Sequence, residues 1–276
     1  MHLVEANGAK IPAIGLGTWT LRGEQAVRLV AGALKGGYRH VDTAAMYDNE
    51  AAVGEGIRAS GMPREEIFLT TKIWYTDLAD GDLQRSLEAS LKRLGVDSVD
   101  LALIHWPSKS IPLEQSIAAL NAVHDSGMAR HIGVSNFTVP LIEQAVAASR
   151  HPLACNQVEY HPFLKQDRVL AACRKHGLAL VSYCPLGRGG EVFSQPPVLQ
   201  AAERRGKSPA QIVLRWHVQQ EGVVAIPRSQ NPARMAENLA VSDFTLAADE
   251  MVAIDALRSR NLRICDFDFS PQWDAA

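Results

Sequence analysis

The sequence predicts a (β/α)8 TIM barrel carrying an N-terminal β-hairpin and two extra helices. Three observations predict it. Short apolar runs alternate eight times with segments of helical period over about 230 residues, the count of a closed barrel. The runs are nearly continuous in apolar character, as at 99–104, which suits parallel strands covered on both faces. No break in composition divides the 276 residues, so one domain over 1–276 is expected. A doubly wound open sheet competes, but Gly15-x-Gly17 lacks the third glycine of a dinucleotide fingerprint.

The hairpin comes first. Asn7-Gly8 lies between Leu3-Val4 and Lys10-Ile11, and a two-residue turn wants positive φ at both positions, so 1–12 should form a small lid on a larger body. Strand 14–17 leads into a helix whose Val27, Val30, Ala31 and Leu34 recur at helical spacing until Gly36-Gly37 stops it. A short strand then ends at Asp42, and helix 52–59 closes at Gly61 and Pro63. Strand 67–71 follows, and Leu83, Leu87, Leu91 and Leu94 stripe a helix that Gly95 ends. After strand 99–104, Pro112 suits a first helical turn, Ile117 and Leu120 supply the buried face, and Gly127 ends the helix. Strand 131–134 and helix 140–148 come next. Strands 154–158, 178–182 and 223–226 complete the barrel with helices 169–176, 208–219 and one capped by Asn231-Pro232. Segments 197–205 and 247–257 read as the extra helices. The tail 258–276, with Phe267, Phe269 and Trp273, is aromatic enough to fold back over an apolar pocket.

Bulk properties narrow the partner. With 28 basic and 30 acidic residues the net charge is -2, which gives no sign of a nucleic-acid or membrane surface and favours a small molecule. The first ten residues lack the apolar run of a signal peptide, and no apolar stretch reaches the roughly 20 residues needed to span a bilayer, so a cytoplasmic location is expected. Cys155, Cys173, Cys184 and Cys265 are scattered, which favours reduced thiols; Cys173 and His176 share a ligand-like spacing, but without a second such pair no metal site is expected.

Barrel enzymes place their chemistry at the C-terminal ends of the strands. Asp42 ends the second strand with Tyr47 five residues on, Lys72 closes the third and His105 the fourth. Taken singly, Asp42 with Lys72 reads as a buried ion pair, Tyr47 as a helix-flanking aromatic and His105 as a core histidine. Recurrence at three successive strand ends shifts the reading toward a proton-handling site. A phenol titrates near 10 in water, so donating a proton at neutral pH requires its ionised form to be stabilised. Lys72 would lower the phenol's pKa, Asp42 would hold Lys72 protonated, and His105 would hydrogen-bond a substrate oxygen. The natural recipient is a developing alkoxide, as in carbonyl reduction.

At this point the motifs converge. Gly15-Leu-Gly-Thr-Trp19, His40-Val-Asp-Thr-Ala44 with Tyr47, Thr71-Lys-Ile-Trp74, Ile104-His-Trp-Pro107, Gly133-Val-Ser-Asn-Phe137, Asn156-Gln157 and Ile226-Pro-Arg-Ser229 resemble the aldo-keto reductases, from residue 11 to about 273. The short rim loops, Trp19 and Asp48-Asn-Glu50 are most similar to bacterial members that reduce methylglyoxal or 2,5-diketo-D-gluconate. The resemblance implies a monomer that binds NADPH across the barrel mouth without a Rossmann domain, and a small-molecule carbonyl substrate. It implies a catalytic tetrad of Asp42, Tyr47, Lys72 and His105, with Tyr47 the acid. By the same likeness Ser135, Asn136 and Gln157 would hold the nicotinamide carboxamide and Tyr183 would stack on its ring. Leu186 and the glycine-rich 187–190 would lie over the pyrophosphate, Arg228, Ser229 and Arg234 would take the 2'-phosphate, and Glu237 and Asn238 the adenine. Arg228 stands where the family usually has lysine; it keeps the charge and adds a fork. Trp19, Trp74 and Trp106 would wall the substrate pocket, joined by Phe137 or Trp273. Two other classes compete: a cofactor-binding regulatory subunit with little turnover, and a barrel enzyme of phosphate-ester or lyase chemistry. Against the second, the rim lacks a carboxylate cluster for a metal.

Overall fold

Asn7 and Gly8 take φ of +46° and +87° and turn strand β1 (Leu3–Ala6) back on β2 (Ala9–Pro12), as the hairpin signal requires. The computed structural model describes residues 2–275; Met1 and Ala276, the outer ends of the expected hairpin and tail, lie outside the described residues. Val4, Ala6, Ala9 and Ile11 bury one hairpin face. The Asn7 amide donates to the Leu153 carbonyl at 2.8 Å and the His176 carbonyl at 3.0 Å, so the hairpin plugs the end where the strands begin.

Eight parallel strands follow in one sheet, each beside its sequence neighbour: β3 (Leu16–Gly17), β4 (His40–Asp42), β5 (Phe68–Ile73), β6 (Val99–Ile104), β7 (Ala129–Ser135), β8 (Leu153–Glu159), β9 (Ala179–Tyr183) and β10 (Val223–Ala225). The first and last meet through Ile14, which bridges Ala225, and through bonds from Gly15 N to Ala225 O at 2.9 Å and Gly17 N to Pro227 O at 3.1 Å. This seam explains Gly15-x-Gly17. A Cβ on Gly15 would meet the His40 ring at 2.6 Å, and one on Gly17 the Ile226 carbonyl at 2.8 Å. The pair serves close strand approach.

Helices α1 (Gly23–Lys35), α2 (Glu50–Ser60), α3 (Asp82–Leu94), α4 (Leu113–Asp125), α5 (Val139–Ala148) and α6 (Asp167–Lys175) follow the first six barrel strands in turn. After β9 the chain inserts α7 (Pro196–Arg205) before α8 (Pro209–Val218), and after β10 it adds α9 (Pro232–Leu239) and α10 (Ala248–Asp255). The stripe Leu83, Leu87, Leu91 and Leu94 is buried as its spacing predicts, and Gly95 ends that helix at φ +68°. The two extra helices, α7 and α10, brace each other through Arg205 and Glu250, whose charged atoms are 2.6 Å apart. No helix among the described residues is long and apolar enough to cross a membrane.

Candidate active site

Parallel register brings three strand ends level: Asp42 pairs with Thr70, and Ile73 with Ile104. Lys72 is fully buried there, its Nζ 2.5 Å from Asp42 Oδ1. The same ammonium donates to the Thr43 carbonyl at 2.8 Å and to Tyr47 Oη at 3.3 Å. Tyr47 sits in a single 3-10 turn, Ala45–Tyr47, which Asp48 ends at φ +52°. Asn49 fixes that loop: its amide donates to Thr18 O at 2.8 Å and Leu21 O at 3.1 Å, and its Oδ1 accepts from Thr43 Oγ1 at 2.9 Å. The His105 ring meets Tyr47 edge-on, with centroids 5.7 Å apart.

Charge in this buried setting follows from competing effects. Burial alone would strip Lys72 of its proton, but Asp42 and Tyr47 outweigh it and hold the ammonium's pKa above its ordinary value. Burial pushes the Tyr47 phenol up, and Lys72 only partly opposes this. Lys72 draws the phenol's pKa down as expected, but desolvation is the larger effect, so the net shift is upward and Tyr47 keeps its proton throughout neutral pH. Burial first, and Lys72 second, hold His105 well below the usual imidazole range. A neutral imidazole still has one N–H to donate, and its Nδ1 is buried without a partner among the described residues.

Behind this group lies a mesh of amides. Gln157 Nε2 donates to Asp42 Oδ2 at 2.7 Å, Asn136 Nδ2 to the His105 carbonyl at 2.9 Å, and Tyr183 Oη to Asn136 Oδ1 at 2.7 Å. Ser135 is turned away from the mouth, its Oγ donating to the Gln157 carbonyl at 2.7 Å and accepting from Asn136 Nδ2 at 3.1 Å.

A cleft of about 1170 Å³ runs from Tyr47 and His105 past Asn136, Gln157, Tyr183 and Leu186 to Arg228, Ser229, Arg234, Glu237 and Asn238. Trp19, Trp74 and Trp106 line its near end, whereas neither Phe137 nor Trp273 does. Neither Arg228 nor Arg234 has an acidic partner among the described residues; Arg228 Nη2 instead lies 2.5 Å from Thr20 Oγ1. Ser229 folds onto its own turn, accepting from Asn231 N at 3.1 Å. Residues 187–190 all take positive φ. This carries Arg188 across the cleft to a point 5.3 Å from the Trp19 ring.

The tail crosses the near end. Phe269 packs on Trp74, Tyr75 and Trp106 at 4.9–5.3 Å between centroids, and Trp273 meets Trp106 at 6.0 Å. Glu159, buried at the end of β8, holds the tail in place. Its carboxylate accepts from the backbone N–H groups of Ile264 at 2.7 Å and Cys265 at 2.6 Å, with His161 Nε2 2.9 Å away. Burial opposes the Glu159 charge, yet the His161 and backbone hydrogen bonds prevail and keep its pKa below the usual carboxylate range. Glu159→Gln weakens two charge-assisted bonds worth roughly 1.5–3 kcal/mol each. Amide exchange at Ile264 and Cys265 should then accelerate by at least about tenfold while the barrel strands stay protected, as hydrogen-exchange NMR can check.

Sequence reading did not single out Glu159, and it met Asn49 and Arg188 only inside motifs, without the contacts described above. Glu159 had no visible partner because its donors lie about a hundred residues downstream. The one available signal was position: Glu159 ends a barrel strand, as Asp42 does.

Proton donors gathered at the strand ends of such a barrel fit an enzyme of the oxidoreductase class, and comparison with known proteins specifies which kind. The model of the aldo/keto reductase family matches residues 13–192 and 195–259, and the chain belongs to that family. The methylglyoxal reductase DkgB of Salmonella typhi is 40% identical over 267 residues, 96% of this chain and 99% of that protein. The morphine 6-dehydrogenase of Pseudomonas putida is 42% identical over 264 residues, 91% of this chain and 89% of that one. A crystal structure named for a 2,5-diketo-D-gluconic acid reductase B superposes with a TM-score of 0.96 at 44% identity, covering 100% of this chain and 98% of that one.

Proposed function

We propose that the protein is an NADPH-dependent reductase of aldehydes and small ketones or 2-oxo compounds, of the methylglyoxal or diketogluconate type. One observation carries the reading: Tyr47 Oη lies 3.3 Å from a buried ammonium that Asp42 holds at 2.5 Å, at the near end of the cleft that reaches Arg228 and Arg234. NADPH, when bound, supplies the hydride. Tyr47 gives its proton to the carbonyl oxygen, Lys72 steadies the phenolate that remains, and His105 orients that oxygen through its N–H. The aromatic wall of Trp19, Trp74, Trp106 and the tail sheds water around the reacting carbon.

The residues fit the cofactor. A cleft of about 1170 Å³ is larger than a small carbonyl compound needs, and two guanidiniums without acidic partners suit a phosphate dianion. Asn136, Gln157 and Tyr183 would receive the nicotinamide, with Ser135 supporting Asn136 from behind; Leu186 would flank the pyrophosphate. Arg228, Ser229 and Arg234 would take the 2'-phosphate, and Glu237 and Asn238 the adenine. The same reading makes the chain a one-domain protein of the cytoplasm and, on family likeness alone, a monomer.

Cofactor titration by quenching of tryptophan fluorescence tests the phosphate end. Charge-assisted bonds of roughly 1.5–3 kcal/mol each imply that Arg228→Gln with Arg234→Gln weakens NADPH binding by at least about a hundredfold. NADH binding should change little. Equal affinity of the unaltered protein for NADH and NADPH would overturn the phosphate assignment.

A further inference from the structure

Three ligating side chains that the reductase chemistry does not use gather at the far end of the barrel, away from the cleft. His124 and Asp125 end α4, and His151 lies in the turn leading into β8. His151 Nε2 is 2.6 Å from Asp125 Oδ1. The His124 and His151 rings stack with centroids 4.1 Å apart and planes inclined by 21°. One ligand atom from each of the three residues lies within 4.8 Å of the other two.

The backbone beneath them is fixed by Asn121, a buried amide on the same helix. Its Oδ1 accepts from His151 N at 3.2 Å and Ser149 Oγ at 3.1 Å, while its own Nδ2 is anchored on the Ile117 carbonyl at 2.9 Å. The turn that presents His151 is thus tied to the helix that presents His124 and Asp125. Much of the ordering a chelate requires is already in the fold.

The geometry points to a surface site for a divalent transition metal of the zinc, cobalt or nickel kind, held by His124, Asp125 and His151. Two imidazoles and one carboxylate suit such ions, whereas calcium and magnesium favour all-oxygen shells. On binding, the ion replaces the proton between His151 Nε2 and Asp125 Oδ1, that proton leaves to solvent, and the N···O separation opens to about 3 Å, as metal–ligand bonds of roughly 2.0–2.2 Å require. The His124 ring turns out of the stack about its Cβ–Cγ bond so that a nitrogen lone pair meets the ion. Water fills the remaining positions. One neighbour competes with the ion: Arg150, whose Nη2 is 2.6 Å from Asp125 Oδ2. The Arg150 side chain is 68% exposed and free to swing away, so its charge weakens the site without blocking it.

Calorimetric titration of metal-stripped protein with zinc chloride tests this, with circular dichroism melts run with and without zinc. One saturable equivalent is expected, with a zinc-dependent rise in melting temperature. His151→Asn and His124→Asn should each weaken it by at least about tenfold and abolish the rise, with melts in the absence of metal unchanged. Cys265→Ser should leave it intact, which separates the site from Cys184 and Cys265, two thiols that line the cleft. Absence of a saturable equivalent, or an equivalent unchanged in both histidine variants, would overturn the proposal.

Discussion

Replacing Tyr47 with phenylalanine is expected to lower kcat for carbonyl reduction by about 10²–10⁴-fold, the usual contribution of a positioned general acid. The ring stays, so packing against His105 at 5.7 Å between centroids is kept and only the proton is lost. Cofactor affinity, read by fluorescence, should hold within a factor of about two, because none of the residues proposed to contact the nicotinamide is altered. Retained turnover would take the acid away from Tyr47. The pH dependence follows from the same groups. Reduction needs the phenol protonated, and burial raises its pKa above the ordinary value of about 10. The proton is therefore present at every pH below that, so the rate should stay level across neutral pH and decline only in alkaline solution.

Lys72→Met is expected to damage both fold and chemistry. The ammonium is fully buried, and its removal leaves Asp42, itself buried, with Gln157 as its remaining side-chain partner. Stranding one member of a buried ion pair costs about 3–5 kcal/mol, so denaturant midpoints should fall accordingly. The phenol would also lose the one neighbour that draws its pKa down, and turnover at neutral pH should drop by at least about a hundredfold. A variant with unaltered stability and an unaltered pH–rate profile would mean that the Asp42–Lys72 pair does neither task.

The strand ends were legible in the sequence because an ionisable residue closing an apolar run is conspicuous, and Asp42, Lys72 and His105 all do so. Their assembly followed from barrel topology, which sets neighbouring strands level at one rim. The extra helices were legible as the segments 197–205 and 247–257 that fall outside the strand–helix repeat, and they appear as α7 and α10. What escaped reading depends on distance along the chain or on competing energies. Glu159 gains meaning only when Ile264 and Cys265 arrive from the tail. Gly15-x-Gly17 resembled half a nucleotide fingerprint because the seam contact with Ile226, which explains both glycines, joins the first and last strands of the barrel and so residues about two hundred positions apart. Lys72 does draw the Tyr47 phenol down, but the larger opposing effect of burial was not legible, since a sequence shows which charges are near but not how much water is excluded.

The most direct measurement follows loss of reduced-nicotinamide absorbance when the purified protein meets methylglyoxal or an aromatic aldehyde, with NADPH and NADH run side by side. Carbonyl-dependent consumption that favours NADPH is the predicted result. If the protein binds NADPH but consumes it with no carbonyl compound, the reductase reading fails, and a cofactor-binding regulatory subunit takes its place.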